Sequence, residues 1–185
     1  MKNDKKTIGA YELMMQKHSD RKDFVTLERS WGDNLTGFIL GISKDFLLLQ
    51  IDRDFASDGY AVIPKHGFES LRCNRFDRMS KKIYKGEGGL GASWGLQQPV
   101  SLDSWPDLFR SLRALDYHVI VELEDQEEPD FVIGPIKKVL KTLVGVQYYN
   151  PEGKLDARTT SIPYSEITIV RFGDRYSTVF RKYLK

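Results

Sequence analysis

Gly86-Glu87-Gly88-Gly89-Leu90-Gly91 satisfies the glycine spacing of a dinucleotide-binding loop. That loop works only where a strand leads in and a helix N-terminus follows, so that backbone amides hold a pyrophosphate. Here the residues that follow, ASWGLQQP, make a poor helix start. The segment reads better as a flexible connection. His66 and Cys73 stand seven residues apart. A Cys–His pair needs a third orienting group, and the sequence offers none beside them, so Cys73 reads as a small buried hydrophobe. His18 and His118 lack a partner at metal-ligand spacing. The expected metal set is empty, no cofactor is implied and no catalytic residue stands out. The chain reads as a non-enzyme.

Two basic stretches carry more. Arg72, Arg75, Arg78, Lys81, Lys82 and Lys85 are interleaved with Phe76 and Tyr84. Arg171, Arg175, Arg181, Lys182 and Lys185 are interleaved with Phe172, Tyr176, Phe180 and Tyr183. Cations neutralise phosphates and aromatic faces stack on bases, a pairing suited to single-stranded nucleic acid. The candidate contacts are Arg72, Arg75, Arg78, Lys81, Lys82, Arg171, Arg175, Arg181 and Lys182. The competing reading is a solvated face, with the C-terminal aromatics forming a buried helix stripe. A net charge of +2 does not decide for nucleic acid. Glu122 to Asp130 holds six carboxylates. Their spacing is not that of a calcium loop, and a solvated hairpin that repels edge pairing fits better. Asn34-Leu35-Thr36 fits a glycosylation acceptor, but no secretory leader accompanies it.

The elements that must position these groups occur twice. Gly37, Ile39, Ile42, Phe46, Leu49 and Gln50 fall without a gap on Gly134, Ile136, Val139, Leu143, Val146 and Gln147. After a loop two residues longer in the second copy, Ile63, Pro64, Phe68, Leu71 and Arg72 fall on Ile162, Pro163, Ile167, Val170 and Arg171. Asp77-Arg78-Met79-Ser80 is then echoed by Asp174-Arg175-Tyr176-Ser177. Such an ordered series points to duplication of one supersecondary unit. With 41% hydrophobic and 12% aromatic residues, the chain can bury a core.

Local patterns predict a helix over 7–18 behind a Thr7 cap, with Ile8, Tyr11, Met14 and Met15 at helical spacing. Strands are expected at 24–29, 35–42, 46–52, 60–63 and 68–73. A second helix starts at a Ser104 cap, with Pro106 in its first turn and Trp105, Leu108, Phe109, Leu112 and Leu115 on one stripe. Strands at 118–124, 131–139, 143–149, 159–163 and 167–172 follow, and a last helix runs over 174–185. Short, closely spaced strands of this kind predict small barrels. The expected units are 1–85, a Gly-rich linker over 86–99, and 100–185.

A helix before five short, bent antiparallel strands resembles the Sm and Sm-like barrel family. That family's first motif has Gly, an aliphatic at two, an apolar at five, Asp at six and Asn at ten. Gly37, Ile39 and Ile42 match, with Ser43 and Leu47 in place of the Asp and Asn. Gly134, Ile136 and Val139 match again, with Leu140 and Val144 at the polar positions. The second motif's aliphatics fall on Ile63, Phe68 and Leu71, and on Ile162, Ile167 and Val170. Its Arg-Gly pair is replaced by Pro64-Lys65 and Pro163-Tyr164. The matches are core positions, and the residues that grip uridine-rich RNA are missing. The resemblance therefore implies a fold and not a function, and other SH3-like barrels impose the same apolar spacing.

The fold expected is mainly β with short helices: two tandem five-stranded Sm-like or SH3-like barrels, each preceded by a helix. The function expected is that of an interaction or scaffolding module, engaging protein or nucleic acid through the basic segments, with self-association through exposed strand edges. The alternative is an enzyme or small-ligand protein with a site between the barrels, near the Gly-rich linker and Trp94. A single cysteine suits a reducing compartment. No stretch approaches the roughly 18 apolar residues of a membrane span. A cytoplasmic protein without a membrane partner is expected.

Overall fold

The computed structural model describes residues 3–91, 94–128 and 130–185. The first half runs α1 (Asn3–Asp20), β1 (Phe24–Arg29), β2 (Leu35–Ile42), β3 (Phe46–Arg53), β4 (Ala56–Pro64), β5 (Phe68–Arg72) and α2 (Arg75–Gly86). The second runs α3 (Trp105–Ala114), β6 (His118–Leu123), β7 (Asp130–Val139), β8 (Leu143–Val146), β9 (Thr160–Pro163), β10 (Ile169–Phe172) and α4 (Arg175–Phe180). The strands form one antiparallel sheet of ten, in the order β5-β1-β2-β3-β4-β10-β6-β7-β8-β9. The chain is mainly β with short helices, as expected.

The order shows the duplication directly, because β10-β6-β7-β8-β9 repeats β5-β1-β2-β3-β4. Its physical basis lies in a few residues. Gly37 and Gly134 sit at φ of 150° and 157°. A Cβ there would stand 2.0 Å from the Gln50 carbonyl oxygen and 1.9 Å from that of Gln147. Only glycine lets the bent strand cross its neighbour so closely. Irregularities follow at matching places, between Ile39 and Gly41 in β2 and between Ile136 and Lys138 in β7. Such bulges bend and twist a strand. Pro64 and Pro163 each lead into a 3₁₀ turn, Lys65–Gly67 and Tyr164–Glu166. The turns are pinned alike, Lys65 N to Asp45 O at 2.8 Å and Tyr164 N to Thr142 O at 3.1 Å.

The expectation of two barrels side by side needs correction. Each repeat has its five expected strands, but the sheet stays open. The outer side of β4 is taken by β10, with Val62 opposite Val170, Ala61 opposite Arg171 and Tyr60 opposite Phe172. The largest core cluster joins Phe46, Leu48 and Val62 of the first repeat to Leu108, Phe109 and Val121 of the second. The Phe46 and Trp105 rings meet edge to face at 4.6 Å. A buried ion pair joins Arg29 to Glu124, and Thr168 Oγ1 lies 3.0 Å from the same carboxylate. Burial pushes the Glu124 carboxyl up, while Arg29 and Thr168 pull it back.

Local expectations fare unevenly. Ser104 caps α3 as expected, accepting from Asp107 N at 3.2 Å. Helix α1 already runs at Asn3, so Thr7 lies inside it; the side chains of Thr7 and Ile8 lie outside those described. Strand β8 ends at Val146, where the longer loop of the second repeat departs. The stretch after Arg72 is not a tail but helix α2. The expected C-terminal helix is shorter, α4 followed by a 3₁₀ turn at Arg181–Tyr183.

Candidate functional site

Helix α2 begins at a capping box. The Asn74 side chain accepts from the amides of Phe76 and Asp77, and the Asp77 carboxylate accepts from Asn74 N at 2.7 Å. Asp77 is buried and also takes Thr26 Oγ1 at 2.8 Å and Arg72 Nε at 3.2 Å. Burial alone would raise its carboxyl, but Arg72, the Asn74 amide and Thr26 together hold it low. Arg72 is thus tied to the fold. Lys81 is tied as well, donating to Asp23 Oδ1 and to Arg21 O, each at 2.8 Å. Arg75 lies over the Phe76 ring at 4.8 Å. Arg75, Arg78 and Lys82 are exposed.

The second basic stretch divides the same way. Arg171 pairs with Glu122 across β10 and β6, and Arg181 pairs with Asp116. Arg175 and Lys182 are exposed, and no ion pair involves either among the described residues. Four of the nine basic candidates are therefore committed to carboxylates, Arg171 to a member of the acidic run itself. The remaining five stay on the surface.

The C-terminal aromatics do not form the buried stripe of the competing reading. Tyr176, Val179 and Tyr183 are 53%, 41% and 71% exposed. Beyond the buried Phe172 of β10, Phe180 is anchored, stacked on Tyr149 with centroids 5.2 Å apart. Tyr176 stacks on Phe180 at 5.2 Å. With Arg53, Asp58 and Arg175 these residues line a groove of about 480 Å³ between the β3–β4 hairpin and α4. Asp58 holds the two sides together, accepting from Arg175 N at 3.0 Å and facing Arg53 Nη1 at 3.4 Å. The groove combines two guanidinium groups with exposed aromatic faces.

The remaining motifs settle into structural places. The glycine pattern begins at the last residue of α2, the end of a helix that repels phosphate. The described part of the Gly-rich segment is not a free tether. Gly95 N donates to Gln50 Oε1 at 2.8 Å, and Tyr60 Oη donates to Gly95 O at 2.7 Å. The Trp94 ring meets Phe38 at 4.8 Å and lies under the Lys22 ammonium. A cleft of about 630 Å³ opens between the repeats, with Trp105, Tyr164 and His66 on its walls and Lys44 and Lys65 as its cations. Among the described residues, none of its lining comes from the Gly-rich segment. His66 lies at the far end of β5 beside Trp31. Cys73 instead meets His18 and Asp23, a convergence the sequence spacing did not show.

Two further surfaces are the edges of the sheet, β5 at one end and β9 at the other. Thr160 and Ser161 of β9 are exposed. On β5 the Leu71 amide donates to the Tyr11 hydroxyl at 2.8 Å, so α1 covers part of that edge. Among the described residues, no helix is long and apolar enough to cross a membrane. No family model, curated protein or solved structure matches the chain.

Proposed function

We propose that this chain is a non-catalytic scaffolding protein of the cytoplasm, two Sm-like units fused in tandem into one open sheet, that associates with copies of itself edge to edge. The junction of β4 with β10 carries this reading. By the repeat, β10 corresponds to β5 and β4 to β9. The two outer edges are therefore counterparts of two strands that already pair inside the chain. Copying that register onto a second molecule sets Ser161 opposite Leu71 and Thr160 opposite Arg72. Such a head-to-tail contact gives a closed ring or a filament, depending on whether its rotation closes. Unpaired strand edges favour partners of this kind.

Sedimentation velocity across a dilution series tests the proposal. The wild-type chain is expected to form a species larger than one chain. Thr160→Lys sets a second cation opposite Arg72 and is expected to dissociate it. Tyr11→Phe frees the Leu71 amide and is expected to tighten association. A wild-type chain that stays single throughout would overturn the reading.

A second reading rests on the groove beside α4. Exposed Tyr176 and Tyr183 with Arg53 and Arg175 suit single-stranded nucleic acid, where each stacked base contributes about 1–3 kcal/mol. Binding of single-stranded RNA and DNA is expected at low salt, to weaken steeply as salt rises, and to drop with Tyr183→Ala. Absence of binding at low salt removes this reading and leaves edge pairing untouched.

A further inference from the structure

His18 stands in the last turn of α1, Asp23 in the connection to β1 and Cys73 between β5 and α2. One ligand atom from each lies within 4.8 Å of the others, and His18 Nδ1 is 3.0 Å from Asp23 Oδ2. The second repeat shows what the fold requires at these places. Val25 opposite Gly37 corresponds to Val119 opposite Gly134, which makes Asp23 the counterpart of Tyr117 and His18 that of Leu112. Cys73 and Phe172 each follow the matched arginines, Arg72 and Arg171, by one residue. The backbone agrees, since Asp23 N donates to His18 O at 2.9 Å and Tyr117 N to Leu112 O at 3.0 Å. The second repeat fills the place with apolar groups, and Tyr117 meets Phe172 edge to face at 5.2 Å. The first repeat puts an imidazole, a carboxylate and a thiol at the same three positions. Packing does not require that exchange.

We propose that His18, Asp23 and Cys73 bind a divalent transition metal of the zinc class, with its fourth position open. Nitrogen, oxygen and sulfur donors together suit zinc, and three protein ligands with one open position is a known arrangement for it. At zinc's bond lengths, neighbouring tetrahedral donors stand roughly 3.3–3.8 Å apart. From the 4.8 Å limit the groups need to close by no more than about 1.5 Å, while His18 and Asp23, already 3.0 Å apart, need to open slightly. The site is held before any metal arrives. The backbone bond fixes Asp23 to α1, the Asn74 capping box fixes the residue after Cys73, and Lys81 occupies Asp23 Oδ1 while Oδ2 faces His18. A carboxylate ligand oriented by an outer partner is the usual support of such a centre. The Lys81 ammonium also offsets one of the two negative charges that a bound thiolate and carboxylate would bring together.

Cobalt(II) titration of the reduced full chain reads the site through its thiolate. One equivalent is expected to bind at micromolar concentration with a thiolate-to-cobalt charge-transfer absorption that zinc bleaches. Cys73→Ser is expected to abolish that absorption. His18→Gln is expected to weaken binding at least about tenfold. His66→Gln, remote from the site, is expected to change nothing. Zinc is expected to raise the unfolding temperature of the wild-type chain and not that of Cys73→Ser. Absence of saturable cobalt binding by the wild-type chain would overturn the proposal, and so would an unchanged charge-transfer band in Cys73→Ser. The wild-type titration decides even if a variant fails to fold.

Discussion

Where the first repeat buries Phe24 opposite Phe38, the second sets His118 opposite Pro135. Where the first places Asp52 two residues beyond Gln50, the second places Tyr149 two beyond Gln147. These positions lie under corresponding helices. In the first repeat Tyr84 of α2 packs on Phe24 and Phe38, with Trp94 closing the cluster. In the second Phe180 of α4 stacks on Tyr149, and His118 adjoins Tyr149 at 5.7 Å. The backbone is held constant by Gly37 and Gly134, the bulges and the Ile-Pro steps, while the polarity inside each half is exchanged. The halves therefore share a shape and differ in their response to protons and to ligands.

The largest effects should show that the shared shape has one cause. Gly37→Ala and Gly134→Ala each drive a methyl into a glutamine carbonyl. Each is expected to cost about 3–5 kcal/mol in urea unfolding, and to similar extents. A large cost at one glycine and none at the other breaks the equivalence. Arg29→Ala leaves Glu124 buried without its cation. The expected loss is about 3–5 kcal/mol, with both halves unfolding together because their core is continuous.

Acid should act on the halves with opposite sign. Burial first, then Arg181, lower the His118 imidazole to about 4, with Asp116 pulling the other way and Lys137 adding a smaller push down. Its folded value lies below its unfolded one, so the second repeat is fully stable above about pH 6.5 and loses stability as pH falls toward 4. The loss is expected to reach about 2–3 kcal/mol, and His118→Phe, which copies the first repeat, is expected to flatten it. Asp52 runs the other way. Burial raises its carboxyl to about 6, with Asp54 adding to the rise and the Phe55 amide opposing it. Its contribution is present below about pH 4 and is lost as pH rises through 6. Asp52→Asn is expected to stabilise the chain by about 1–2 kcal/mol at pH 7 and not at all at pH 4. A gain at pH 4 equal to that at pH 7 removes the carboxyl as its cause.

The repeat was readable because its markers are backbone constraints, and a glycine or an Ile-Pro step leaves a mark on sequence spacing. The boundaries of α3 were readable from Ser104 and Pro106 for the same reason. Helix α2 carried a signal too, since Asn74 and Asp77 have the spacing of a capping box ahead of the run of cations. The Asp77-Arg78 and Asp174-Arg175 echo was misleading. Asn74 and Asp174 are the caps, and Asp77 falls on Ser177, so the likeness is out of step by one turn. The junction of β4 with β10 left no local mark, because it joins strands about a hundred residues apart and is selected by the shared core. The meeting of His18, Asp23 and Cys73 was equally hidden, since it depends on β5 returning beside β1. The fate of the basic residues depended on pairing, and Arg72, Lys81, Arg171 and Arg181 found carboxylates from separate elements.

Edge pairing between copies is the central claim, and sedimentation velocity of the wild-type chain beside Thr160→Lys tests it most directly. The expected result is a discrete assembly of the wild-type chain that the lysine disperses to single chains without loss of secondary structure. A wild-type chain that remains single at every concentration, or an assembly that the lysine leaves intact, would contradict it.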